Sequence, residues 1–178
     1  MNEIEGSAAE LLPNQKSTTE YLAKLPPVDT INITEIASRY RDALVAKGAK
    51  GSLIAVGGSV DKQFPRKDID ILMLFDSEKA DSQTAETGIE RATRDFNATF
   101  KPLVSAIAPQ EEGFTVIEEI EPAVDEEYQN PNLLKHDGTI AVKKGGGTPI
   151  EFIRNSSAGN IQGFAENSRR PWVLLSTA

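Results

Sequence analysis

The sequence predicts an α+β fold, a mixed β-sheet with helices packed mainly on one side. Three observations carry that expectation. Ile33, Ile36, Ala37, Tyr40 and Leu44 recur at helical spacing. Ser52–Val56 and Asp68–Phe75 are short apolar runs bounded by glycine, proline or acids, which is how buried strands read. A second helical stretch then separates these two strands from a further set of strand-like pieces, an order that suits one sheet with helices laid against it.

Taken in order, residues 1–30 are polar and end in Leu25-Pro26-Pro27. They read as a flexible or loosely docked arm, with a short amphipathic turn at Tyr21-Leu22 that can pack on the remainder. Residues 31–178 read as a single domain, long enough to bury a core. Asn32-Ile33-Thr34-Glu35 has the form of a capping box and predicts a helix over 33–47, stopped by Gly48. Ser52–Val56 is a buried strand that breaks at Gly57-Gly58. Pro65 marks a loop before the strand Asp68–Phe75, whose apolar content suggests cover on both faces. Ile89, Ala92, Phe96 and Phe100 give the stripe of a helix over 81–100, ended by Pro102. Strands are expected at 114–120, 139–143 and 149–153, the last two joined as a hairpin by Gly145-Gly146-Gly147. Residues 155–170 read as polar loop, and 171–175 as a closing strand.

Composition narrows the function classes. Hydrophobic content of 39% and charged content of 26% are ordinary for a globular protein. The chain has no cysteine, so disulfides and thiolate zinc sites are excluded. A net charge of -8 argues against broad DNA or other non-specific nucleic-acid binding, which needs a basic field. No apolar run reaches transmembrane length, so no membrane partner is expected. The start, Met1-Asn2-Glu3-Ile4-Glu5, is acidic with no apolar core behind it, unlike a secretory signal, and a cytoplasmic protein is expected.

The chemistry concentrates in one stretch. Gly57-Gly58-Ser59 follows an apolar strand, eight residues intervene, and Asp68-Ile69-Asp70-Ile71 opens the next strand. Glycines after a strand let the backbone approach a phosphate, and Ser59 adds a hydroxyl donor. Asp68 and Asp70 share one face, because strands repeat every two residues, and paired carboxylates suit a hard cation such as Mg²⁺ or Mn²⁺. A third carboxylate usually completes a clamp for phosphoryl transfer. Glu151 in Pro149-Ile150-Glu151-Phe152-Ile153 is the best candidate, an acid within an apolar strand where burial would demand a cation. Glu118 and Glu121 are alternatives. Lys62, Arg66 and Lys67 line the loop between turn and acids and can meet phosphates as point charges. A purely structural reading makes Gly57-Gly58 a strand-end turn, with Asp68 bridged to Arg66 or Lys67.

The run from Gly57 to Ile71 resembles the signature of the polymerase-β-type nucleotidyltransferase superfamily: apolar strand, Gly-Gly-Ser turn, spacer, then acid-apolar-acid strand. The preceding helix and the later Ile150-Glu151-Phe152 are similar to that family's first helix and its third-acid strand. The resemblance spans residues 33–76 well and 139–153 loosely. It implies a nucleotidyltransferase-like fold and an enzyme that moves a nucleoside monophosphate from an NTP, ATP among the candidates, to a hydroxyl acceptor, releasing pyrophosphate. It further implies that Gly57, Gly58 and Ser59 hold the triphosphate and that Asp68, Asp70 and Glu151 form the catalytic metal site. Many members carry Asp where Glu151 stands, and many continue into a helical domain with no counterpart here. The acceptor therefore stays open between a small molecule, an RNA end, a protein hydroxyl and a second nucleotide. The alternative is a non-catalytic nucleotide-binding or protein-interaction module on the same fold: a sensor, an antitoxin-like partner or a regulatory subunit.

Lesser features read as ordinary structure. His136, the only histidine, sits at a turn. Glu111-Glu112, Glu118-Glu119-Glu121 and Asp125-Glu126-Glu127 form a solvated acidic belt. Arg169-Arg170 is a weak anion-contact candidate, and Trp172 a core or edge aromatic.

Overall fold

A computed structural model describes residues 10–62, 68–75, 101–119, 140–154 and 161–178. Its strands are β1 (Gln15–Lys16), β2 (Gly51–Val56), β3 (Ile69–Phe75), β4 (Thr115–Glu119), β5 (Ile140–Lys143), β6 (Ile150–Arg154) and β7 (Trp172–Thr177). They form one sheet in the order β1-β7-β2-β3-β6-β5-β4. β1 with β7 and β3 with β6 run parallel, and the remaining neighbours run antiparallel. The helices are α1 (Thr18–Lys24), α2 (Pro27–Ala46), α3 (Gly58–Asp61), α4 (Lys101–Ile107) and α5 (Ile161–Asn167), with a 3-10 turn at Gln110–Glu112. The fold is α+β with a mixed sheet.

Alternation along the strands sorts the core into two faces. Leu53, Ala55, Ile71, Met73 and Phe152 pack with α1, α2 and α4 in the main cluster. Ile54, Leu74 and Trp172 point the other way and pack with Ala165 and Phe164 of α5. The Phe164 and Trp172 rings meet edge to face, their centroids 5.5 Å apart. The Trp172 indole donates to Pro13 O at 2.9 Å, so this aromatic is core.

Helix α2 begins six residues before the expected start, and the difference has a tertiary cause. Pro26 and Pro27 open the helix, where a missing N–H costs nothing. Asn32 and Glu35 are not a cap. Asn32 is buried and its Nδ2 donates to Lys144 O at 2.9 Å, while Glu35 accepts from Lys144 Nζ at 2.8 Å. Lys144 is remote in sequence, so its claim on both residues leaves no local trace. The far end follows the expected rule. Gly48 takes φ +63°, its N–H reaches Val45 O, and the Ala49 N–H reaches Leu44 O, closing the helix with a left-handed residue.

Three other expectations are corrected. Within the flexible or loosely docked arm expected over 1–30, residues 15–24 supply an edge strand and α1, while Tyr21, in the turn expected to pack, is buried together with Leu25. Pro102, expected to end a helix, lies within α4. Residues 161–167, expected as loop, are helical because Ala165 and the half-buried Ile161 and Phe164 cover the second face of the sheet. The expected helix over 81–100, Arg66, Lys67, His136, Glu121 and Asp125-Glu126-Glu127 lie outside the described residues.

Candidate metal centre

The site is built at the end of three neighbouring strands. β2 pairs antiparallel with β3, placing Val56 opposite Asp70. β3 pairs parallel with β6, placing Asp70 beside Glu151. Ile150 and Phe152 pack into the main core, so Glu151 between them projects to the opposite face, the one Asp70 shares with Leu74. Asp68 stands immediately before β3, two residues from Asp70. Register and alternation thus bring Asp68, Asp70 and Glu151 together, with ligand oxygens all within 4.8 Å of one another. All three are half-buried. The expected trio is the one the fold assembles. Glu118 lies on β4, separated from β6 by β5.

Three carboxylates at this separation repel when ionised, and a cation among them removes that cost. The donors are all hard oxygens, the set favoured by Mg²⁺, Mn²⁺ or Ca²⁺ over softer metals. The cluster can therefore hold a metal ion.

The glycine turn touches this cluster directly. Gly57 has φ +75° and ψ -151°, a combination essentially reserved for glycine. A Cβ at that position would lie 2.6 Å from Asp70 Oδ2. The backbone needs glycine here for its torsions and for the room it leaves the acid. Gly58 is different: its φ is ordinary, and an added Cβ would meet nothing within 4 Å. The Gly57 carbonyl accepts from the Val60 and Asp61 amides, which winds the chain into α3.

Ser59 does not simply face solvent. It is buried, and its hydroxyl is 2.9 Å from the Tyr21 hydroxyl. Burial pushes Tyr21 up to about 12, opposed by the Ser59 hydrogen bond and reinforced by the negative charges of Asp29 and Asp70. Tyr21 therefore joins the turn to the N-terminal helix. The amphipathic turn around it is visible in the sequence, but nothing local points from Tyr21 to Ser59, 38 residues away. Lys62 is exposed just past α3. Arg170 reaches the same neighbourhood by pairing with Asp61, its Nε 2.8 Å from Oδ2.

A second missed group fixes the third acid from behind. Asp29 is 1% exposed and accepts from the Thr148 backbone N–H at 2.6 Å and the Thr148 hydroxyl at 2.7 Å. A Cβ on Gly147 would lie 2.7 Å from Asn32 Nδ2 and 3.0 Å from Asp29 Oδ1. The Gly145-Gly146-Gly147 turn is thus seated on α2, its last residue three positions before β6 and four before Glu151.

Among the described residues, no helix is long and apolar enough to cross a membrane. No family model matches the sequence, and no curated protein matches it.

Proposed function

We propose that this chain is a metal-dependent nucleotidyltransferase of the polymerase-β type, transferring a nucleoside monophosphate from an NTP to a hydroxyl acceptor. The observation that carries the reading is the convergence of Asp68, Asp70 and Glu151 within 4.8 Å, with Asp70 against the Gly57 turn. Acid triad and glycine turn are the two halves that such chemistry needs in one place.

In this reading Asp68, Asp70 and Glu151 hold Mg²⁺ or Mn²⁺. The bound ion supplies Lewis-acid stabilisation of phosphoryl oxygens and lowers the pKa of an attacking hydroxyl. The chain does the remaining work by position. Gly57 and Gly58 let the triphosphate approach the backbone. Ser59, oriented by Tyr21, and Lys62 contact its oxygens. The acceptor oxygen bonds to the α-phosphorus and the bond from that phosphorus to the bridging oxygen breaks. Pyrophosphate leaves, and the hydroxyl proton passes to the Glu151 carboxylate and then to water.

The test is a screen of the four labelled NTPs with Mg²⁺ or Mn²⁺ against cellular RNA, protein and small hydroxyl compounds, with pyrophosphate as readout. Asp68→Ala and Asp70→Ala should abolish release and keep the fold. Full activity in either variant overturns the proposal. NTP binding with no pyrophosphate from any acceptor moves the chain to the non-catalytic class.

A further inference from the structure

We propose that the cavity between α1 and α3 is a second ligand site, seating a phosphate-bearing small molecule with an apolar body and needing no metal. The cavity has a volume of about 530 Å³. That is the range of small-molecule pockets, roughly 300–1,000 Å³. None of Asp68, Asp70 and Glu151 lines it, so it is distinct from the acid cluster; Ser59 and Lys62, which the nucleotidyltransferase reading gives to the triphosphate, also line it, and binding in the absence of metal separates the two uses.

Its wall is divided by chemistry. Tyr21, Leu25 and Val173 are buried and give an apolar floor, extended by the half-buried Val60. The rim carries Lys16, Lys24 and Lys62, all exposed. Two acids also line the cavity, Glu20 and Asp61, but Asp61 is already paired with Arg170. Three lysines therefore share the lining with one carboxylate, Glu20, that has no ion pair among the described residues, in a chain whose net charge is -8. Positive charge gathered against that background selects an anion. The inner wall adds the Ser59 and Tyr21 hydroxyls. One of their two protons is shared between them, and the other O–H can donate to a phosphate oxygen. Tyr21 holds that proton across the physiological range, being pushed up to about 12. Lysines grip phosphate as point charges without an intervening cation. An all-polar phosphate would leave Leu25 and Val173 unmatched, which is why the ligand carries an apolar or ring-shaped body.

This inference does not rest on the nucleotidyltransferase reading, since a chain with no transfer activity would still have the cavity. The probes are phenyl phosphate and inorganic phosphate, titrated calorimetrically into the full chain in EDTA. Phenyl phosphate should bind without metal, more tightly than inorganic phosphate, and more weakly as salt rises. The Lys16→Ala/Lys24→Ala variant should bind roughly tenfold or more weakly, given the worth of charged hydrogen bonds. Both lysines are exposed, so its thermal melt should match the parent and report an intact fold. Asp68→Ala should bind like the parent. Three results each overturn the proposal: no binding in EDTA, undiminished binding by the double-lysine variant, or loss of binding in Asp68→Ala. Equal affinity for the two probes overturns the apolar body.

Discussion

Substituting Gly57 by alanine tests the geometry that joins the turn to the acids. Two costs add. The torsions of Gly57, φ +75° and ψ -151°, are closed to residues with a Cβ, a strain on the order of 1–3 kcal/mol. The new Cβ would also lie 2.6 Å from Asp70 Oδ2, where ordinary contact begins at 3.4 Å, so the carboxylate or the turn must move by about 0.8 Å. Metal geometry tolerates about 0.2 Å. Gly57→Ala should therefore lower the melting temperature by about 5 °C, at roughly 2–4 °C per kcal/mol for a chain of this size. It should also weaken Mn²⁺ binding by about tenfold or more. Gly58→Ala is the matched control, because its Cβ meets nothing and its φ is ordinary; it should melt and bind Mn²⁺ like the parent. Thermal unfolding by circular dichroism and Mn²⁺ titration by electron paramagnetic resonance read both effects. A Gly57→Ala protein indistinguishable from the parent in both would refute the close-approach reasoning. Lost stability with unchanged Mn²⁺ affinity would separate the strained turn from the acids.

Further expectations concern the acids, the clamp and two titrating groups. Saturating Mn²⁺ should raise the melting temperature of the parent, about 2.7 kcal/mol of stabilisation at a hundredfold excess over Kd, and should leave Asp70→Asn unmoved; equal shifts in both would place the metal elsewhere. Asp29→Ala strips two partners from Thr148 and should cost about 2–4 kcal/mol in urea unfolding, while Thr148→Val, which keeps the backbone N–H bond, should cost less. Tyr21 ionises near 10 when unfolded and near 12 when folded, so its contribution is complete below pH 10 and lost as pH rises toward 12. Tyr21→Phe should therefore lose less stability than the parent across that window. Glu35 has its carboxyl pulled below the usual range, first by the Lys144 hydrogen bond. Its contribution holds above the unfolded carboxylate pKa and fades as pH falls through the lower folded one, so parent and Glu35→Gln should converge in acid.

Features that depend on neighbours in sequence were legible in advance. The strands at 51–56, 69–75 and 150–154 follow from short apolar runs, and the Gly48 stop from glycine's left-handed freedom. Asp68 and Asp70 share a face by period alone, and Glu151 could be picked out as an acid in an apolar strand. The α2 start and α5 were not legible. Lys144 claims Asn32 and Glu35 from more than 100 residues away, and Ala165 pays attention to a sheet face that only exists once the strands assemble.

The sequence by itself determined which residue types could bind a hard cation, and that a glycine turn would precede them, because these depend on chemistry and on local torsion. Only the tertiary structure decided that the three acids meet. The parallel register of β3 with β6 sets Asp70 beside Glu151, and register comes from sheet order and from the Asp29–Thr148 clamp. It also decided that Tyr21 holds Ser59, and that Lys62 joins Lys16 and Lys24 around one cavity. Those contacts cross long loops, and no local propensity encodes a partner at that distance.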